Sequence, residues 1–471
     1  MKHDTPAYHP ERRRRRPLRN RWVIAAAGTI MMMCLGSVYS WSLYARPLMA
    51  AFHWSAMTTM WTFSIAIFSL GIGAVVGGRA QDRLGPRAIA IAGVSLWALG
   101  NLLAGLATAR FGVWWLYATY GVLGGFGLGM GYVSPVAMVT KWFPDHRGAA
   151  GGLVVTGFGL GAFVYNAIVP RFAGFARAAS DAALAHGSTL RHADVHAVMA
   201  AFAWSGVAYL AIGGTCSLLL ANPPETYGRR RDDPVVDMRR HYRPSEVLRT
   251  PQFYLLWLML FCSVTAGILV ISNAVPIFTD LTGSTPAFAA TTVGMLAIFN
   301  GIGRIAWGAI SDRIGRNVSY AAILGLQALT FALLPGMHGV ALVALAFAVV
   351  LCCNGGSFGT MPAFNADFFG TKYMGLNYGL IITAWGFAGV AGPLIAARVK
   401  DVTGSYNATL LPVALMLLAA TILPMVARRP DAARITRPLA VRPRGVVGRL
   451  KESRSIRSPG KRNRRAGATS R

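Results

Sequence analysis

The chain has 471 residues, 54% hydrophobic and only 13% charged, with a formal net charge of +29. The charges gather in short clusters between apolar runs long enough to cross a hydrocarbon core of ~30 Å, which takes about 20 helical residues. This excludes a soluble domain, and the ~10-residue alternating segments of a membrane β-barrel are not seen. The expected class is an all-α polytopic membrane protein.

The apolar runs place twelve spans, with bounds good to about four residues. The first six are 22–46, 56–78, 88–109, 111–140, 148–170 and 198–221. A polar segment, 222–250, carries Pro223, Pro224, Pro234, Pro244 and clustered arginines, and reads as a linker. The second six are 252–279, 287–311, 317–336, 339–365, 375–399 and 405–427. The resulting domains are a basic tail (1–21), a six-helix half (22–221), the linker (222–250), a second half (251–427) and a basic tail (428–471).

The run Arg12–Arg16, the linker arginines and more than a dozen Lys and Arg after Arg428 all fall on one side of this topology. The positive-inside rule makes that side cytoplasmic, with both termini there and the protein in the inner (plasma) membrane. The same basic segments are expected to attract anionic lipid rather than nucleic acid. The apolar run from Trp22 is too long for a signal-peptide core and reads as a first span. Cys34, Cys216, Cys262, Cys352 and Cys353 all sit in apolar runs without metal-ligand spacing, as reduced packing residues do. The glycine-rich run Gly121–Gly131 mimics a dinucleotide loop but lies in an apolar span with no strand before it, so it reads as close helix packing. No nucleophile–base pair, phosphate loop or metal-ligand cluster is present, so neither an enzyme nor a cofactor is expected.

The halves repeat. Gly78, Asp82, Arg83 and Gly85 after span two return as Gly308, Asp312, Arg313 and Gly315 after span eight. A second echo sets Thr156, Phe158 and Gly159 of span five against Thr383, Trp385 and Gly386 of span eleven. Parallel repeats place a substrate site near the midplane, between the halves. The paired Gly-x-x-x-Asp-Arg-x-Gly turns resemble the signature of the major facilitator superfamily, which implies twelve helices in two six-helix halves and transport by alternating access. In that reading Asp82, Arg83, Asp312 and Arg313 hold the gate on the cytoplasmic side.

Within that superfamily, Gly36-Ser-Val-Tyr39-Ser-Trp41, Phe299-Asn300-Gly-Ile-Gly303-Arg304 and Asn377-Tyr378 through Thr383-Ala-Trp385-Gly386 resemble the oxalate/formate antiporter family. The monocarboxylate transporters are more distant relatives. The resemblance implies that an Arg of span eight and a Lys of span eleven hold a dicarboxylate. Arg304 matches the Arg, and Trp385 stands where the Lys would be.

The residues point the same way. Arg304 lies inside an apolar span, eight positions or ~12 Å from Asp312, and an intramembrane charge marks a substrate or ion pathway. Its planar fork suits a carboxylate. Trp385, ~15 Å into its span, would wall the same cavity, with Tyr39 and Tyr378 adding hydroxyls and Asn300, one turn away, orienting Arg304. The alternative for Arg304 and Asn300 is a structural role between helices. The expected function is secondary transport of small organic anions, monocarboxylates of the formate, pyruvate or lactate class, by antiport or with protons as coupling ion. An exporter of hydrophobic compounds and a transporter-like nutrient sensor are the alternatives.

Overall fold

The computed structural model describes residues 20–171, 192–224, 227, 241–403 and 407–430. Arg12–Arg16, most of the loop 171–196, the linker arginines 229–240 and the tail from 431 lie outside the described residues. Among the described residues every regular element is helical, as expected of backbone that must satisfy its own hydrogen bonds in lipid. Eleven continuous stretches are long and apolar enough to cross a membrane. One of them, Pro86–Trp142, has 57 residues and breaks at Gly112 (φ 73°, ψ −159°), so it runs across and back. The protein therefore has twelve transmembrane helices.

In the first half these are α1 (Arg21–Phe52), α2 (Ala56–Leu84), α3 (86–111), α4 (113–142), α5 (Arg147–Ile168) and α6 (His192–Leu219). In the second they are α7 (Pro251–Thr282), α8 (Pro286–Ile314, with a single-residue step at Ala297), α9 (Arg316–Leu333), α10 (Val340–Phe369), α11 (Met374–Thr403) and α12 (407–426). The ends follow local chemistry. Ser55, Thr250 and Thr285 accept a hydrogen bond from the first turn of α2, α7 and α8, and Pro251 and Pro286 occupy first-turn positions where no N–H is needed. Gly85 and Gly315, the last glycines of the repeated turns, take φ of 85° and 91°, a backbone region that side chains oppose. The helices overrun several of the expected span ends: α2 continues to Leu84, so Asp82 and Arg83 ride on its last turn.

The halves meet chiefly along two seams, α2 against α11 and α5 against α8. Small residues set the approach in each. Along α5–α8, Gly148 faces Gly308, and Gly152 faces the backbone of Arg304. Along α2–α11, Gly78 faces Gly375 and Gly71 faces Thr383. Within the second half, Gly303 of α8 and Gly359 of α10 each rest on the other helix's backbone, Gly303 on Cys352 and Gly359 on Arg304. This packing fixes the height of Arg304 against α10.

A Cβ at Gly303 would run into the Cys352 carbonyl oxygen, whereas one at Gly294 would meet nothing within 4 Å. Gly303→Ala is expected to destabilise the purified protein by about 1–3 kcal/mol, and Gly294→Ala to leave it within ~0.5 kcal/mol. Thermal unfolding in detergent checks both.

Candidate functional site

Arg304 is fully buried, at 0% exposure. Its Nε donates to Asn300 Oδ1 at 3.1 Å, one turn back on α8, and its Nη1 donates to the Val155 carbonyl of α5 at 3.0 Å. The guanidinium carbon lies 5.6 Å from the ring centre of Phe158 and 5.0 Å from that of Phe358, within range of cation–π attraction. Next to it, Thr156 Oγ1 bonds the Gly301 carbonyl at 2.9 Å and so ties α5 to α8. No carboxylate among the described residues pairs with Arg304. Its Nη2 and the Asn300 Nδ2 are buried and make no hydrogen bond.

An aromatic box surrounds this charge. The ring of Trp385 lies 4.7 Å from Phe358, 5.2 Å from Phe158, 5.2 Å from Tyr132 and 6.1 Å from Tyr39. Tyr132 stacks on Tyr378 at 6.5 Å. The Tyr39 hydroxyl is buried and makes no hydrogen bond of ordinary geometry. The hydroxyls of Tyr132 and Tyr378 and the Trp385 Nε1 are likewise buried without partners. An unpaired buried polar group is costly, and here five of them, all able to donate, stand with the free Nη2 around one positive charge in an apolar box. Chemically, such an arrangement is suited to an anion.

The structure thus brings together Arg304, Asn300, Trp385, Tyr39 and Tyr378, each proposed from the sequence. It adds Tyr132, Phe158 and Phe358, which the sequence reading passed over. Phe158 had a signal, since it pairs with Trp385 in the repeat. Tyr132 was hidden at the end of a glycine run read as packing, and Phe358 stands between glycines of α10. Trp41 packs instead on Tyr120 within the first half, at 5.2 Å. Among the described residues no three His, Cys, Asp or Glu side chains gather as metal ligands.

The end of the bundle carrying the repeated turns is closed by two matching contacts. Asp82 at the end of α2 accepts from the backbone N–H groups of Gly375 (3.0 Å) and Leu376 (2.9 Å), in the first turn of α11. Asp312 at the end of α8 accepts from Gly148 (2.9 Å) and Ala149 (2.8 Å), in the first turn of α5. Each carboxylate therefore caps a helix of the opposite half, where unpaired N–H groups and the helix dipole favour negative charge. The α5–α8 contact carries more. Arg316 bridges Asp312 (2.6 Å) and Asp367 (3.0 Å), and Arg147 of the first half reaches Asp367 at 3.0 Å. Pro86 stands four residues after Asp82, where Arg316 stands after Asp312, and among the described residues no ion pair braces Asp82, whose charge is supported electrostatically by Lys141 of α4. Arg83 and Arg313 have exposed side chains.

The family model described as Major Facilitator Superfamily matches residues 22–393. The oxalate:formate antiporter of Oxalobacter formigenes is 30% identical over 401 residues, covering 84% of this chain and 88% of that protein. Apicoplast pyruvate carrier 1 of Toxoplasma gondii is 24% identical over 473 residues (82% and 85% covered), and monocarboxylate transporter 13 of Bos taurus 26% over 403 (84% and 86%). Among solved structures, the transporter FucP in its outward conformation superposes with a TM-score of 0.67 at 17% identity, covering 88% of this chain and all of that one. The proton:xylose symporter XylE gives 0.67 at 14%, covering 87% and 96%.

The two caps tie the halves together at the charged end, so Asp82→Asn combined with Asp312→Asn is expected to open it. With the native cysteines removed, spin labels at Arg83→Cys and Lys372→Cys, exposed positions on opposite halves, should report a new population at longer distance than in the unaltered gate.

Proposed function

The chain belongs to the Major Facilitator Superfamily, a family of transporters and not of enzymes, and from that premise we propose that it carries small organic anions of the monocarboxylate class. The observation that supports this reading is the buried Arg304, which has aromatic walls, an Nη2 without a hydrogen bond and, among the described residues, no carboxylate beside it. A carboxylate bound there accepts from Nη2 and neutralises the guanidinium, and the phenols and the indole N–H supply further donors. The relatives point to the same chemistry, since their names give oxalate, formate, pyruvate and monocarboxylates as cargo. One cation and an indole suit one carboxylate group. A dianion would bring a second charge into a dry box with nothing to balance it.

The cycle we infer is rocking of the two halves about the α2–α11 and α5–α8 seams, with the Asp82 and Asp312 caps released when the cytoplasmic side opens. Among the described residues no Asp or Glu lies in the box, which favours exchange of anions over a proton cycle run on a protein carboxylate. The distribution of Lys and Arg supports both termini in the cytoplasm and a location in the inner membrane. A second reading, export of hydrophobic compounds, draws on an apolar cleft of about 150 Å3 between α2, α7 and α11, lined by Met57, Met60, Trp61 and Leu394.

Uptake of labelled pyruvate into proteoliposomes separates the readings. Arg304→Ala is expected to lose about 100-fold or more of the carboxylate flux, because removing one partner of a dry, charge-assisted contact costs ~3–5 kcal/mol. Full flux in correctly inserted Arg304→Ala would refute the anion reading. Trp385→Lys restores a second cation, and it is expected to raise the preference for oxalate over pyruvate by at least about tenfold.

A further inference from the structure

A cavity of about 500 Å3 opens at the charged end of the second half and shares no lining residue with the aromatic box. Its polar lining includes Asp312, Arg316, Asn317, Asp367, Arg428 and Arg429. Both carboxylates are already engaged, Asp312 by Arg316 and the N–H groups of Gly148 and Ala149, and Asp367 by Arg316 and Arg147. Arg428 and Arg429 are exposed and make no ion pair among the described residues, so their two charges are uncompensated. They are nonetheless held in place. Just before them, the Ala427 carbonyl accepts from Asn317 Nδ2 at 2.5 Å, as the Pro424 carbonyl does at 2.6 Å. Just after them, the Pro430 carbonyl accepts from the Tyr242 hydroxyl at 3.0 Å, and the Tyr242 N–H is bonded to the Phe369 carbonyl at the end of α10. The arginine pair is thus strapped on both sides at the start of α9. No side chain caps α9 there, and a helix start presents unpaired N–H groups and positive potential.

We propose that this cavity is a binding site for a phosphate group, separate from the transport site, with Arg428 and Arg429 as its anchors. Guanidinium forks meet phosphate oxygens in pairs, and a helix start adds backbone donors. The volume falls within the ~300–1,000 Å3 of small-molecule sites and admits an ester of phosphate as well as the free ion. The surroundings point to an anionic membrane lipid as the source. Ile314, Val318, Met425 and Val426, each within two residues of the polar lining, are exposed, and exposed apolar side chains of membrane helices meet acyl chains. The cavity therefore lies where the lipid-facing surface ends, and basic pockets between helices at that level suit anionic headgroups. A zwitterionic headgroup is disfavoured, because its own cation comes to stand among the arginines. A phosphate seated here lies beside Arg316, which braces the Asp312 cap, and it ties the end of α12 to α9. The inference is independent of which anion the transporter carries.

The test is thermal unfolding of the full-length protein in detergent, without transport substrate, on titration with three probes. These are short-chain phosphatidylglycerol, phosphatidylcholine of the same chain length, and inorganic phosphate. A ligand that binds the folded state raises the Tm. Phosphatidylglycerol is expected to raise it by several degrees and phosphatidylcholine by less than half as much. Arg428→Gln combined with Arg429→Gln is expected to abolish the phosphatidylglycerol shift. Asn317→Leu, which cuts the strap and leaves both arginines, is expected to reduce it at least by half. A control variant with Lys461, Arg462, Arg464 and Arg465 all changed to Gln removes tail charge and is expected to keep the full shift. A shift with inorganic phosphate as large as with phosphatidylglycerol, and lost in the same arginine variant, supports the site and assigns it to soluble phosphate. Equal shifts with the two lipids overturn the proposal. So does a phosphatidylglycerol shift that survives in the Arg428/Arg429 variant or disappears in the tail variant, because attraction to the basic tails alone gives that result.

Discussion

A guanidinium held away from water with no carboxylate beside it is the constraint on which the rest of this structure depends. Placing such a charge inside a membrane helix costs several kcal/mol. The protein offsets this with neutral groups only: the Asn300 amide, the Val155 carbonyl and the faces of two phenylalanines. Each compensates part of the charge and none cancels it. The residual positive field, with Nη2 unspent, is the feature on which the proposed anion site rests. Around it stand three phenols and an indole N–H that make no hydrogen bond of ordinary geometry, donors within the same apolar box.

The pieces that hold Arg304 also divide the molecule. Val155 and Phe158 come from α5 in the first half, whereas Asn300, Arg304 and Phe358 come from the second. Trp385 touches rings from both halves. Any rocking of one half against the other therefore remakes the environment of the charge, which couples occupancy of the site to conformation. At the charged end the two helix caps are alike in geometry and unequal in support. The Asp312 contact is braced by Arg316, Asp367 and Arg147, and the Asp82 contact by backbone N–H groups.

Much of this was legible in the sequence. Apolar run lengths gave the twelve crossings, because a bilayer admits few lengths and one backbone solution. The repeated glycine–aspartate turns singled out Asp82 and Asp312, which the structure shows capping helices of the opposite half, and the depth of Arg304 in its span singled out the candidate site. What stayed hidden was direction. A glycine-flanked aromatic such as Tyr132 or Phe358 reads as packing until the neighbouring helices show which way its ring points. The bracing by Asp367 and Arg147 joins residues 220 apart in the chain, and no local pattern connects them.

The claim at the centre of this account is that the site answers negative charge. The most direct measurement is the thermal stability of the purified protein with pyruvate and with its uncharged methyl ester, at equal concentration. A ligand that binds only the folded state at 100 times its Kd stabilises it by about 2.7 kcal/mol. The acid is expected to raise the Tm by several degrees and the ester to leave it unchanged. Equal shifts with acid and ester, or no shift with either, would contradict the account.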